Sequence, residues 1–312
     1  MTVSRDEAIY AYRLILGREP ENEDVIEHAM TAENLAALRT TFLESPEFVR
    51  SRDLPIWRFI NEAHIDRNID CAPGELEAMF ERIAREWRSL GETEPHWSVI
   101  TNEDFLQGNL AAHKERFFRG GEKAIDSYLN FLRREGISTS FGRAMDFGCG
   151  VGRLTLGLTR FAREVVGVDI SPPHLRLAAR RAERKSISNV RFEAIESVTD
   201  VDRYRGFDFV ISIIVLQHNP PPVIAALFGK LLAALAQGGV AIIQIPTYIQ
   251  GRYFSTADYL ESAAPQMEMH ALAQSIIYRI IEQSGCRLVE VREDGAAGHG
   301  PAISHTFCIQ RR

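Results

Sequence analysis

One segment restricts what this 312-residue chain can fold into more than any other: Ala144-Met145-Asp146-Phe147-Gly148-Cys149-Gly150-Val151-Gly152-Arg153-Leu154. A short apolar run feeds a glycine loop, and the loop opens into a helical pattern. Glycine permits the tight turn and lets backbone amides approach a ligand with no Cβ in the way. From here the chain alternates strand and helix periods. Strands are expected at Arg143–Phe147, Glu164–Val168, Val190–Ile195, Phe207–Ile213 and Val240–Ile245. Helices are expected from Arg153, from Pro172 to about Lys185, from Pro220 to Ala236 and around Leu272–Gln283. That alternation specifies an α/β sheet with helices on both faces. Two last strands, Arg287–Val291 and His305–Ile309, flank the Gly-rich stretch 294–300, which has no room for a crossover helix. They should pair antiparallel, giving seven strands in all.

Ahead of residue 140 the chain reads as helical. Ser4 can cap a helix through Leu16 that Gly17 ends in a left-handed cap, with Pro20 beyond it. Thr31 or Asn34 opens another helix towards Leu43, and Pro46 can start the next turn after Ser45. Leu76, Met79, Phe80, Ile83, Trp87 and Leu90 then fall on one face of a long amphipathic helix, a stripe expected to be core packing. The division expected is a helical N-terminal domain over 1–92 and a second domain over 93–312, its core starting near 140. Residues 247–270 form an insert after the fifth strand, carrying Tyr248, Tyr253, Phe254 and Tyr259. These aromatics either cover a ligand or fill a small core of their own.

Composition narrows the partners. The chain has 45% hydrophobic and 25% charged residues and a formal charge of −6, so no broad basic surface for nucleic acid is expected. Apolar runs such as Phe209–Leu216 are too short for a membrane span. The start, Met-Thr-Val-Ser-Arg-Asp-Glu, lacks a secretory pattern, and a cytoplasmic location is expected. Cys71, Cys149, Cys286 and Cys308 form no CxxC pair and read as plain thiols.

A glycine trio after a first strand also occurs in nicotinamide and flavin enzymes, so charge must discriminate. Asp146 lies inside the motif, where it would repel a pyrophosphate and could engage the ammonium of a methionine moiety. The sign favours S-adenosyl-L-methionine. Asp169, ending Val165-Val166-Gly167-Val168-Asp169, can accept hydrogen bonds from both ribose hydroxyls, or else caps the next helix. Glu196 or its neighbouring amide at Ser197 is placed to read an adenine amino group. Gln217 and His218 follow the fourth strand; His218 is either a general base or a residue that pins its loop. Asn219-Pro220-Pro221-Pro222 is read as a helix start with Asn219 as cap. An amine-binding Asn-Pro-Pro-aromatic box is rejected, because position 222 is proline. Ile213, Ile214 and Val215 stand where a metal site would need carboxylates, so no metal is expected.

With these residues in view, the chain over roughly 96–312 resembles the class I S-adenosylmethionine-dependent methyltransferases. Asp146, Gly148, Gly150 and Gly152 match the family's first motif, Asp169 its ribose-binding acid, and Phe207–Ser212 its fourth strand. At Glu196 the family more often has Asp. The resemblance implies a seven-stranded Rossmann-like methyltransferase sheet with its last strand antiparallel. It implies S-adenosyl-L-methionine as cofactor and S-adenosyl-L-homocysteine as product, with contacts that also include Cys149, Arg153, Ile170, Ser212, Ile213 and Gln217. His96-Trp97-Ser98-Val99-Ile100 resembles the stretch that folds over the cofactor in many members, which makes Trp97 a candidate contact. Leu16-Gly17-Arg18-Glu19-Pro20 and Phe42-Leu43-Glu44-Ser45-Pro46-Glu47-Phe48 look like a small helical bacterial domain of unassigned function found beside surface-polysaccharide enzymes. The expected activity is methylation of a small-molecule or saccharide hydroxyl. A catalytically silent cofactor-binding module and an NAD(P)-dependent oxidoreductase are the alternatives, and the oligomeric state stays open.

Overall fold

A computed structural model describes residues 3–51, 69–249, 253–262, 267–297 and 302–312. The chain divides into two compact units, Met1–Ala63 and His64–Arg312.

In the first unit, helices α1 (Arg5–Ala11), α2 (Glu23–Met30), α3 (Leu35–Glu44) and α4 (Pro46–Ser51) surround a small core. Ser4 caps α1 as expected: its hydroxyl accepts from Glu7 N at 3.3 Å while Glu7 Oε2 accepts from Ser4 N at 2.8 Å. A wider turn, Tyr12–Leu16, carries the chain to Gly17, whose φ of +69° closes the helix. Asn34, not Thr31, caps α3. Asn22 caps α2, a helix the sequence reading did not anticipate. Ala8, Ile26, Leu38 and Phe42 fill the core, and the Tyr12 ring meets Phe42 edge-on at 4.8 Å.

The second unit opens with α5 (Pro73–Thr93) and α6 (Leu110–Arg134). Then come β1 (Phe141–Phe147), α7 (Thr155–Leu158), β2 (Ala162–Asp169), α8 (Pro172–Arg184) and β3 (Val190–Ala194). They are followed by β4 (Phe207–Ser212), α9 (Pro221–Ala233), β5 (Leu235–Ile249), α10 (Thr256–Glu261), α11 (Gln274–Gln283), β6 (Cys286–Asp294) and β7 (Ala302–Arg311). The sheet order is β3-β2-β1-β4-β5-β7-β6. β1 to β5 pair parallel, and β7 pairs antiparallel with both β5 and β6. The expected terminal hairpin is therefore present, although residues 298–301 of its connection lie outside the described ones.

Strand alternation sets the two faces. Met145, Val166, Val210 and Ile243 face one way, onto Phe80 and Ile83 of α5, Phe228 of α9 and Ile277 of α11. Ala144, Val165, Phe209 and Ile242 face the other way, onto Ile125 and Leu129 of α6 and Leu158 of α7. The α5 stripe is core packing, but it packs on the sheet's own core. The compact division accordingly falls at 63/64 and not at 92/93. The helix expected from Arg153 is shortened to Thr155–Leu158, because positive-φ glycines extend the turn to 152.

Of the insert, residues 250–252 and 263–266 lie outside the described set. Tyr248, Phe254 and Tyr259 are buried, with Tyr253 exposed. Phe254, Tyr259 and His270 pack ring on ring at 5.6–5.8 Å, and the Arg82 guanidinium sits 4.2 Å over Tyr259. Phe254 and Tyr259 thus join the sheet's own core on the α5 side, and form no small core apart from it. No helix among the described residues is long and apolar enough to cross a membrane.

Candidate active site

Strand order reverses between β1 and β4, and in open α/β sheets ligands sit beyond the strand ends at that point. The glycine loop leaves β1 there. Gly148, Gly150 and Gly152 have φ of +75°, +51° and +79°, a region L side chains rarely adopt. Gly148 N and Cys149 N both donate to Val168 O, at 2.7 and 3.0 Å, which folds the loop back on β2. A Cβ on Gly148 would run into the Val215 side chain, and one on Gly152 would stand 3.1 Å from Ala178 Cβ of α8.

Asp169 ends β2 beside this loop. Its Oδ2 accepts from Gly150 N at 2.8 Å and its Oδ1 from Ser171 N at 2.8 Å. The carboxylate thus ties the loop to the start of α8. Burial pushes it upward, opposed by the His174 charge and by backbone donors. Burial pushes His174 downward, opposed by Asp169. Ser171 Oγ donates to Trp87 O at 3.0 Å, so the 2.7 Å contact from His174 Nδ1 is read as N–H donating to Ser171. Nε2 lies 3.0 Å from Ser98 Oγ, whose hydroxyl donates to Pro95 O at 3.2 Å.

A cleft of about 680 Å³, counted out to open solvent, occupies the switch point. Gly148 and Gly150 line it with Asp169, Ile170, His174 and Ile195. Ile213, Ile214, Val215 and Asn219 form the side beyond β4, and Ser98 and Val99 another part. Phe80, Ile83 and Trp87 of α5 and Leu227 of α9 complete an apolar wall.

Several expected contacts lie elsewhere. Asp146 is buried behind the loop, where its Oδ2 accepts from Thr155 Oγ1 at 2.6 Å; it does not line the cleft. Burial, reinforced by the Asp169 charge and offset by Thr155, pushes its carboxyl up to about 7. The Cys149 side chain is buried, and burial raises its thiol. Gly152 packs the loop on α8, and the Arg153 guanidinium lies over the Phe117 ring, 5.6 Å from its centroid. Glu196 is exposed, and its amide and that of Ser197 donate to Asp200 Oδ2 at 2.7 and 3.1 Å; the neighbouring Ile195 lines the cleft instead. Ser212 is buried and donates to Phe147 O at 3.0 Å, pinning β4 to β1. Trp97 is absent from the lining, where its neighbours Ser98 and Val99 stand. Asn219 does not cap α9, whose N-cap is Pro220; its Nδ2 donates to Val215 O at 3.0 Å.

Gln217 and His218 are held inside the loop after β4. His218 Nδ1 is 3.2 Å from Glu268 O, its Nε2 is 3.4 Å from Gln217 Nε2, and its ring lies 5.1 Å from Trp87. Burial lowers the imidazole to about 4. Gln217 Oε1 accepts from Gln244 Nε2 at 3.1 Å, and Gln244 Oε1 accepts from Ile214 N at 2.9 Å. That bond holds Ile214 at φ +60°, a strained position for a β-branched residue.

Sequence reasoning missed Phe80, Ile83, Trp87, His174 and Gln244 as parts of the site. The α5 stripe was visible, but periodicity says only that a face is covered, not what covers it.

Residues 144–239 match the model of a family described as a methyltransferase domain. The chain is 30% identical over 185 residues to the ubiquinone biosynthesis O-methyltransferase of Psychrobacter cryohalolentis, covering 56% of this chain and 63% of that protein. It is 33% identical over 102 residues to the enzyme of the same name from Bradyrhizobium sp., covering 32% and 38%. The chain thus matches less than two thirds of the length of these relatives. Magnesium protoporphyrin IX methyltransferase from Synechocystis PCC 6803, solved with S-adenosylhomocysteine, superposes with a TM-score of 0.53 at 19% identity, covering 74% of this chain and 99% of that one. Residues 144–239 thus match a methyltransferase domain, and the seven-stranded sheet around them has the fold of the Synechocystis methyltransferase.

Proposed function

We propose that this chain is an enzyme that transfers the methyl group of S-adenosyl-L-methionine to a hydroxyl of a small molecule, releasing S-adenosyl-L-homocysteine. The observation that carries the reading is Asp169. It lies at the C-terminal end of β2, lines the cleft and is fixed by Gly150 N and Ser171 N. Each carboxylate oxygen keeps acceptor capacity for a ribose hydroxyl. Ile170, Ile195 and Ile213 offer apolar surface for a purine, and glycines at 148 and 150 keep side chains out of the loop's share of the lining.

The bound sulfonium would supply an activated methyl and its own leaving group. What remains for the protein is to hold the acceptor oxygen in line and to keep water out. The wall of Phe80, Ile83, Trp87, Val215 and Leu227 suits an acceptor with an apolar ring better than a saccharide. The names of the ubiquinone-biosynthesis relatives favour the same choice. His218 serves in this reading as a positioning residue, since one ring nitrogen meets the neighbouring Gln217 and the other meets Glu268 O of the segment before α11.

Calorimetric titration with S-adenosylmethionine, S-adenosylhomocysteine and NADH tests the cofactor, with Asp169→Ala as control. Binding of the first two, weakened at least about tenfold by loss of a charge-assisted acceptor, is the expected result. Binding of NADH alone would overturn the reading. Turnover is then measured on phenolic and saccharide acceptors, and methylation at nitrogen or carbon would remove the O-methyl assignment. A second reading, cofactor binding without turnover, draws on the engaged nitrogens of His174 and His218. Binding with no product from any acceptor would favour it.

A further inference from the structure

A second concave surface lies in the same unit and shares no lining residue with the cleft. This open groove of about 790 Å³ runs between α6, α7 and the end of α8. Its charged lining consists of Arg119, Arg153, Arg181 and Lys185 against Glu115 and Glu122. Glu115 is already committed: its two oxygens accept from Arg181 at 2.7 and 2.8 Å, with Lys185 Nζ 3.5 Å away. Arg119 and Arg153 have no ion pair among the described residues.

Arg153 is the unusual member. Its Nε is buried with no hydrogen-bond partner, and burial lowers its pKa with no carboxylate acting to restore it. The interior of α6 is adapted to it. A Cβ on Gly121 would overlap the Arg153 carbonyl, and one on Gly120 would stand 3.1 Å from Arg153 Nη2. Paired glycines inside a helix weaken it, so α6 gives up helix stability at the turn that admits this unpaired guanidinium. Lys114, about two turns earlier on α6 and outside the lining, is also depressed, by burial and by the charges of Arg181 and Arg184. Positive charge is in local excess here, in a chain whose formal charge is −6.

We infer that the groove binds a small phosphoryl-bearing anion, with Arg153 and Arg119 supplying the donors. Guanidinium forks match phosphoryl oxygens in pairs, and an anion would supply the counter-charge that Arg153 lacks. The recess is local, unlike the wide basic surface that tracks a nucleic-acid backbone. This inference does not depend on methyl transfer.

Its test is calorimetric titration of the full chain with inorganic pyrophosphate and, separately, with glucose 1-phosphate, each against sodium chloride at matched ionic strength. Saturable binding is expected with at least one phosphoryl probe. Tighter pyrophosphate binding identifies the free anion as the ligand type, and tighter glucose 1-phosphate binding identifies an ester. The dissociation constant should rise about tenfold in Arg153→Gln and in Arg119→Gln, and stay within twofold in Arg279→Gln, an exposed control on α11. Arg119 is exposed, so its variant reports even if Arg153→Gln misfolds. Heat reproduced by sodium chloride, absence of saturation, or equal affinity in Arg119→Gln would each overturn the proposal.

Discussion

Asp146 and Asp169 are both buried at the switch point, yet they act on different partners. Asp169 lines the cleft, whereas Asp146 faces Thr155 behind the loop. The Asp146 carboxyl near 7 has a signed consequence. A folded-state value raised above the ordinary 3.8 means that ionisation opposes folding, so stability present at low pH is lost as pH rises from about 4 to about 7. Asp146→Asn keeps an oxygen for Thr155 and cannot ionise. Its stability relative to the parent should therefore grow between pH 5 and 8 by roughly 2–4 kcal/mol, read by urea unfolding. A constant difference across that range would show that Asp146 is not the titrating group. His218 and His96, both lowered to about 4 by burial, act with the opposite sign and lose stability as pH falls from 6.5 towards 4. At this scale, backbone-driven features were legible in the sequence: the glycine loop and the acid closing β2. Side-chain direction was not. Ser212 ends β4 and Arg153 closes the loop after β1, so both count as contacts from the sequence, but neighbouring elements decide which way they point.

Among elements, α6 gives the sharpest contrast between neighbouring positions. Gly121→Ala would place a methyl against the Arg153 backbone carbonyl, which cannot yield without moving the loop. Gly120→Ala meets only the end of a flexible side chain. The first should cost more than about 3 kcal/mol, while the second should stay within about 1 kcal/mol of the parent, because alanine also favours the helix. Urea denaturation of the two variants decides, and equal costs would contradict the packing described. Neither α2 nor α6 was singled out from sequence. For α5, the stripe Met79, Phe80, Ile83 and Leu90 is core, as its period implies, but Phe80 and Ile83 also line the cleft, and local periodicity could not say that this core belonged to a sheet beginning some fifty residues later.

On the scale of the whole molecule, the succession of strands and helices and the terminal hairpin were legible because apolar runs punctuated by glycine and proline recur at βαβ spacing. The division into units was not, because it depends on where α5 packs. Removal of residues 1–63 should leave S-adenosylhomocysteine affinity within about threefold, with the remaining unit folded. Removal through residue 93 also withdraws Met79, Phe80 and Ile83 from the main core and should abolish cooperative unfolding. Circular dichroism melts of the two truncated chains separate these outcomes. The order of the sheet has a further consequence, during synthesis. β7 lies between β5 and β6 yet follows both in the chain. A ribosome therefore delivers β6 before the strand that joins it to the sheet exists, and the edge of β5 waits uncovered for the same interval. A stop codon just ahead of Ala302 would delete one strand but unfasten two, leaving β6 unattached and the buried edge of β5 open to another chain.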